Sequence, residues 1–194
     1  MRKLSIHSSL CILIAVSVFI LPLRWLVGWV VAAAIHELFH IWMLRLLKIQ
    51  ILSVDLRANG AVIRTEPMLP FQEMLCSLAG PVGGLSALML LKIMPHIALC
   101  AAIHSVYNML PVFPLDGGRA IKCAVNCFWG EYRAETVSTY LSVFVITLFL
   151  TIGVCLYYRY RLGVLPILFP AVPLILTAWK YSLQSNKINC TMFS

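Results

Sequence analysis

Two histidines and a glutamate lie together in an otherwise apolar stretch, VAAAIHELFHIWML, which runs from Val31 to Leu44. His36 and His40 are four residues apart, so a helix projects both imidazoles from one face. The pattern H-E-x-x-H is typical of two zinc ligands with a glutamate that serves as general base. Glu37 is badly angled to bind the same metal, yet it is close enough to hold a water molecule beside it. This stretch therefore predicts metal-assisted hydrolysis.

A chance origin of this pattern is the competing explanation, because soluble helices often carry two histidines and a glutamate on a solvated face. The apolar neighbours weaken that explanation. An ionisable side chain at the centre of a bilayer costs about 2.5–3.5 kcal/mol on insertion scales and is normally functional. Three such side chains within five residues favour a metal site.

A catalytic zinc ion has three protein ligands and one open position, so a third ligand must come from elsewhere in the chain. The acidic residues other than Glu37 are Asp55, Glu66, Glu73, Asp116, Glu131 and Glu135. Asp116 lies in NMLPVFPLDGGRA, where prolines break the helix and free backbone groups. It precedes Arg119 by three residues, and His40 precedes Arg45 by five, so both fall in the same half of the membrane. A turn-capping role before two glycines is the alternative for Asp116.

Composition indicates the class of protein. Of the 194 residues, 61% are hydrophobic and 11% are charged, whereas a soluble domain has about 45–50% apolar and about 25% charged residues. We therefore expect an all-α polytopic membrane protein. Apolar segments near the length of about 20 residues that crosses a bilayer predict about six transmembrane helices, at 7–23, 25–47, 70–94, 96–115, 136–157 and 162–181.

The chain contains no linker, so we expect a single domain over 1–194 with a core at about 25–125 and with the first, fifth and sixth spans as accessories. The segment ILSVDLRANGAVIRTE alternates polar and apolar residues around Asn59-Gly60, a hairpin-turn signal. We expect a short β-hairpin between spans two and three, at the cytoplasmic membrane surface. A plain connecting loop is the alternative.

The positive charges indicate orientation rather than nucleic-acid binding. The formal net charge is +8, but the basic residues are scattered between apolar segments and form no basic face. Lysine and arginine gather on cytoplasmic flanks, which places the N-terminus and the inner ends of spans two and four in the cytoplasm. Arg159 and Arg161 do not fit this orientation, because six spans would place them on the outer side of the membrane. We expect a multi-pass cell-membrane protein with its active site toward the cytoplasm.

Two segments together resemble the signatures of the site-2 proteases, a family of zinc intramembrane metalloproteases. HELFH matches H-E-x-x-H in one span, and NMLPVFPLDG matches N-x-x-P-x-x-P-L-D-G in a later one. SLAGPVGG, from Ser77 to Gly84, resembles the small-residue segment that the family has between them. Within the family the chain most resembles the branch of the sporulation processing protease called stage IV sporulation protein FB, without a CBS domain.

This resemblance implies that His36, His40 and Asp116 bind one zinc ion per chain and that Glu37 is the general base. Asn108 is implied as a substrate contact, with an interhelical hydrogen bond as the alternative. The implied reaction is hydrolysis of a peptide bond in or near a transmembrane or membrane-associated segment of a protein substrate, as in regulated intramembrane proteolysis. A regulatory membrane protein is a candidate further partner, besides the substrate and the bilayer.

Several supporting roles follow from position. Gly80 and Gly83 should allow close helix packing, as small residues do in membranes. His104 either packs between spans or lies beside the metal site. The hairpin at 51–66 offers an edge strand that could hold an unwound substrate segment.

Two rival functions remain open. One is a zinc-binding membrane protein without proteolysis, either a degenerate protease or a metal transporter. A transporter would more often have acids and histidines along several spans, whereas these converge on one ligand set. The other is a different membrane zincin with glutamate as the third ligand, which would need a suitable Glu in a span besides Glu37.

Overall fold

Helices form most of the computed structural model, which describes residues 3–57 and 60–160. The chain divides into two compact units, one up to Met109 and one from Leu110 onward. In chain order the elements are β1 (Lys3–Ile6), α1 (Ser8–Ile20), α2 (Leu23–Leu46), β2 (Ile51–Arg57), β3 (Gly60–Thr65), α3 (Pro70–Ser86), a 3₁₀ turn (Ala87–Leu90), α4 (Pro95–Asn108), α5 (Asp116–Trp129) and α6 (Glu131–Tyr160).

The first unit is built around α2, which packs against both α3 and α4. Small buried residues line these contacts, and Ala32, Ala87, Cys100 and Ala101 form one cluster. Without a hydrophobic driving force between helices in lipid, close backbone approach through such small residues is what allows helices to associate. The side chains of the H-E-x-x-H motif therefore lie on the helix that contacts both other helices of this group.

The predicted β-hairpin is confirmed. β2 and β3 pair antiparallel, with Val54 opposite Ile63 and Leu56 opposite Ala61. The sequence did not predict β1, which pairs parallel with β2 and makes it the central strand of the order β1-β2-β3. The Ser5 hydroxyl donates to the Asp55 carboxylate within this sheet. Lys3 pairs with Ser53, 50 positions later, and such a distant partner leaves no local signal in the sequence.

Six membrane spans are not confirmed. Three helices in the described part of the chain are long and apolar enough to cross a membrane: Leu23–Leu46, Pro70–Leu90 and Glu131–Arg159. The helices at the predicted first and fourth spans have 13 and 14 residues, fewer than the about 20 that cross a bilayer. The fourth ends at Asn108, before the two prolines of the second signature. The predicted span at 162–181 lies outside the described residues.

In the second unit, the part of the second signature from Leu110 onward packs against the long helix α6. Val112 is buried against Val145 and Ile146, and the Phe113 amide donates to Ser142 Oγ at 2.9 Å. Gly118 allows the chain to turn tightly, because a Cβ there would lie 2.5 Å from the Phe113 nitrogen. This turn leads directly into α5, whose first residue is Asp116.

Candidate metal centre

His36 and His40 present their imidazoles on the same face of α2, as the four-residue spacing predicts. Their Nε2 atoms are 3.1 Å apart, and His36 is only 3% exposed. Two ligands on one tetrahedral zinc, with Zn–N bonds of about 2.0–2.1 Å, would have nitrogens about 3.3 Å apart. The observed separation therefore fits two nitrogens that share one metal ion.

The orientation of His40 is fixed by the backbone of α3. Its Nδ1 lies 2.7 Å from the Cys76 carbonyl oxygen, and because a carbonyl can only accept, Nδ1 carries the proton and donates it. The neutral ring then has its lone pair at Nε2, the atom that faces His36. A carbonyl partner of this kind fixes the tautomer of metal-binding histidines. The sequence carries no signal for this contact.

Gly80 lies directly against both imidazoles. A Cβ built there would be 2.8 Å from His36 Cε1 and would overlap the His40 ring. A Cβ built at Gly83 would likewise overlap the Phe39 ring. Both glycines therefore allow close helix packing, as the sequence predicts. At Gly80 the lack of a side chain also makes room for the two candidate ligands.

We expect Gly80→Ala to lower the zinc affinity of the purified protein at least about tenfold, because the new methyl group would displace the two imidazoles. Changes to the residues that orient metal ligands typically cost about 10–100-fold in metal affinity. Gly28→Ala is the matched control on α2, because the nearest atoms to its new Cβ would be Cys100 Sγ at 3.0 Å and the His96 carbonyl oxygen at 3.4 Å, neither of which belongs to a candidate ligand. Competition with a fluorescent zinc chelator measures both affinities. Equal affinity in the Gly80 variant and the wild type would show that the rings have room to shift.

Glu37 is partly buried and is joined to the sheet. Its Oε1 accepts a hydrogen bond from the Ala61 amide, on β3, at 3.1 Å. The sequence places these residues 24 positions apart, and a contact made through a backbone amide leaves no pattern in the sequence. One carboxylate oxygen of the candidate base is therefore held by the hairpin.

Asp116 is buried, with 8% of its surface exposed, in the first turn of α5. A helix N-terminus stabilises a carboxylate, because the first amides and the helix dipole favour negative charge. Asp116, His36 and His40 form a group in which each residue offers one ligand atom, and these atoms all lie within 4.8 Å of one another. Two imidazoles and one carboxylate are a suitable ligand set for a catalytic metal ion. This group could hold a metal ion.

Asn108 and His104, which the sequence suggested as a substrate contact and as a neighbour of the metal site, lie in α4. Asn108 Nδ2 donates to the His104 carbonyl oxygen at 3.0 Å, which is a bond within its own helix and not the interhelical bond considered above. The His104 ring lies edge to face with the His36 ring, with centroids 4.8 Å apart. His104 thus packs between α4 and α2 and also lies directly beside a candidate ligand, so both positions that the sequence left open apply to it.

Comparison with known proteins supports the fold but does not identify a family. No protein-family model matches the chain, and no curated protein matches its sequence. Among solved structures, the chain is similar to the site-2 protease from Methanocaldococcus jannaschii, with a TM-score of 0.59 and 17% sequence identity. The similarity covers 88% of this chain and 86% of that one. The chain therefore has the fold of a site-2 protease, and the sporulation branch stays a prediction.

Proposed function

We propose that the protein is an intramembrane zinc metalloprotease, which hydrolyses a peptide bond in or near a transmembrane or membrane-associated segment of a protein substrate. The observation that carries the proposal is the group of His36, His40 and Asp116, with Glu37 next to the first ligand. Catalytic zinc sites of proteases combine two histidines and a carboxylate with one open position. The shared fold with a site-2 protease supports the same function.

In this proposal each residue has a separate task. His36 and His40 would hold one zinc ion through ring nitrogens, and Asp116 would supply the third, negatively charged ligand. Zinc held there would polarise the peptide carbonyl and lower the pKa of water toward about 7. Glu37 takes a proton from the attacking water at a carboxylate oxygen and returns it to the leaving amine.

The substrate must present an unwound peptide bond, because a membrane helix has all its carbonyl groups hydrogen-bonded within the helix. β3 is an outer strand of the sheet, and within the described residues no strand pairs with its outer edge, where an extended segment could be added. Main-chain pairing with such an edge is a common way to bind extended peptides. Asn108, at the end of α4, is a proposed further substrate contact.

We further propose a multi-pass protein of the cell membrane, with one functional domain over 1–194 and its active site toward the cytoplasm. Three long apolar helices support the membrane location. Orientation rests on the arginine and lysine residues that flank the segments, since these gather on the cytoplasmic side. The partners are a membrane-embedded or membrane-tethered substrate and a regulatory membrane protein.

Metal removal tests this function. Treatment of the purified protein with a strong zinc chelator should reduce cleavage of a single-span substrate below detection, because water is then no longer activated. Equimolar zinc should restore cleavage, whereas magnesium, which prefers six oxygen ligands, should not. Cleavage that continues after complete metal removal would contradict a metalloprotease. Bound zinc without any cleavage would favour the binding protein over the enzyme.

A further inference from the structure

Three aromatic rings from α2 and α4 form a row that ends at a candidate metal ligand. The His104 ring lies edge to face with the His36 ring, with centroids 4.8 Å apart and an interplanar angle of 89°. It also lies 6.2 Å from the Trp29 ring, at 74°. We infer that His104 is a positioning residue, which holds the His36 imidazole in the orientation that binds metal. This inference rests on the proposed metalloprotease function and deepens it.

The position of the His104 ring follows from the spacing of its two neighbours on α2. Trp29 and His36 are seven residues apart on that helix, which corresponds to two turns and about 10.5 Å along the axis. Residues at this spacing lie on the same face of a helix. A ring within 6.2 Å of one and 4.8 Å of the other therefore fills the gap between them.

The backbone that carries His104 is held by close contacts on both sides. Ser105, the next residue, is fully buried, and a Cβ built at Gly84 on α3 would overlap its hydroxyl oxygen. At the end of α4, Asn108 Nδ2 donates to the His104 carbonyl oxygen at 3.0 Å. Close approach through small residues is what holds membrane helices together. The His104 ring is therefore presented to His36 from a fixed support.

The orientation of His36 depends on such neighbours. The last torsion of a histidine side chain has a broad distribution, so the surrounding atoms decide the plane of a buried imidazole. His36 is 3% exposed, and its ring meets the rings of both His40 and His104 nearly at right angles. Aromatic rings prefer this edge-to-face arrangement at centroid distances of about 4.5–7 Å. Contact with His104 therefore favours one plane for the His36 ring.

His104 itself is not a member of the group that could hold the metal ion. That group, as found among the described residues, consists of His36, His40 and Asp116. A histidine beside such a group could in principle bind metal directly, and this role requires a ring nitrogen. Positioning requires only the shape and the aromatic faces of the ring. Phenylalanine keeps these properties and has no nitrogen, so it separates the two roles.

Zinc affinity of the purified full-length protein tests the inference without requiring cleavage. His104→Ala should lower this affinity about tenfold, the lower end of the range for lost partners of metal ligands. His104→Phe should restore it to within about threefold of the wild type, because the ring contact with His36 is kept. Competition with a fluorescent zinc chelator measures all three affinities.

His96→Ala is the matched control. His96 is also on α4, and its ring stacks on Trp25 of α2 with centroids 4.8 Å apart. The substitution therefore removes the same side chain from the same helix and also breaks a contact with a tryptophan of α2. Neither His96 nor Trp25 belongs to the metal group. The zinc affinity of this variant should equal that of the wild type.

Cobalt provides a spectroscopic test of ligand geometry. The visible absorption of Co²⁺ depends on the arrangement of its ligands. Wild type, His104→Phe and His96→Ala should give the same bands with Co²⁺, whereas His104→Ala should give shifted bands. A variant that is destabilised without any change at the metal site would keep the wild-type bands.

Three outcomes would overturn the inference. Wild-type zinc affinity and cobalt bands in His104→Ala would show that His36 keeps its orientation without the ring. Equal loss of affinity in His104→Phe and His104→Ala would show that a ring nitrogen is needed, as for a direct ligand. Equal loss in His96→Ala would show a general effect of α4 packing. Failure of the proposed function is distinct from these outcomes, because the wild type itself would then bind no zinc or cleave nothing.

Discussion

Replacement of Glu37 by glutamine should reduce substrate cleavage by about 10²- to 10⁴-fold, the range typical for loss of a general base. The glutamine side chain has nearly the shape of the carboxylate, and its oxygen can still accept from the Ala61 backbone amide. The variant therefore loses proton transfer while the contact with β3 remains. Glutamine cannot take a proton from water at neutral pH. Initial rates of product formation at saturating substrate measure the effect.

Zinc content distinguishes a lost base from a damaged site. Glu37 is not among the three candidate ligands, so Glu37→Gln should keep the wild-type zinc content. Glu131→Gln is a matched control, because it makes the same chemical change at an exposed position in the first turn of α6. That variant should cleave at the wild-type rate. Full activity of Glu37→Gln would contradict the role of Glu37.

Replacement of Asp116 by asparagine should have the second large effect, on the metal itself. Loss of an outer partner of a ligand already costs about 10–100-fold in metal affinity, so loss of a ligand's negative charge should cost more than about 100-fold. Cleavage at limiting zinc should fall in parallel. The measurement is zinc competition with a chelator, with elemental analysis of the purified variant.

Asp55→Asn provides the comparison for Asp116. Asp55 accepts from Ser5 and lies 3.5 Å from Arg64 within the sheet, so it is a paired carboxylate outside the metal group. Its replacement should leave zinc affinity unchanged. Tight zinc binding by the Asp116 variant would exclude Asp116 as a ligand and would favour a metal site with only two protein ligands.

The helical part of the site could be predicted from sequence because the helix period is fixed. A spacing of four positions from His36 to His40 places both rings on one face, and the structure has their Nε2 atoms 3.1 Å apart. The choice of Asp116 among the acidic residues depended mainly on the resemblance of its motif, since Asp116 lies 76 positions after His40 and the intervening fold decides where it is placed. The resemblance and the metal group agree on the same three residues.

The supporting contacts could not be predicted, because they involve backbone atoms. The Cys76 carbonyl orients His40, and the Ala61 amide holds Glu37, yet any residue type provides these groups. Gly80 was expected to pack closely, but its position against two imidazoles depends on the register of α3 on α2. Hydropathy also extended the predicted fourth span beyond Asn108, where α4 ends, because the following residues are apolar although prolines interrupt the helix.

The central claim is that bound zinc and Glu37 together cleave a membrane-embedded peptide. The most direct test reconstitutes the wild type and Glu37→Gln in lipid vesicles with single-span substrates, then measures zinc per chain and identifies product ends by mass spectrometry. We predict one zinc ion in each form, and new ends in or near the substrate's membrane segment for the wild type alone. One zinc ion in each form, with no substrate cut by either, would contradict the claim.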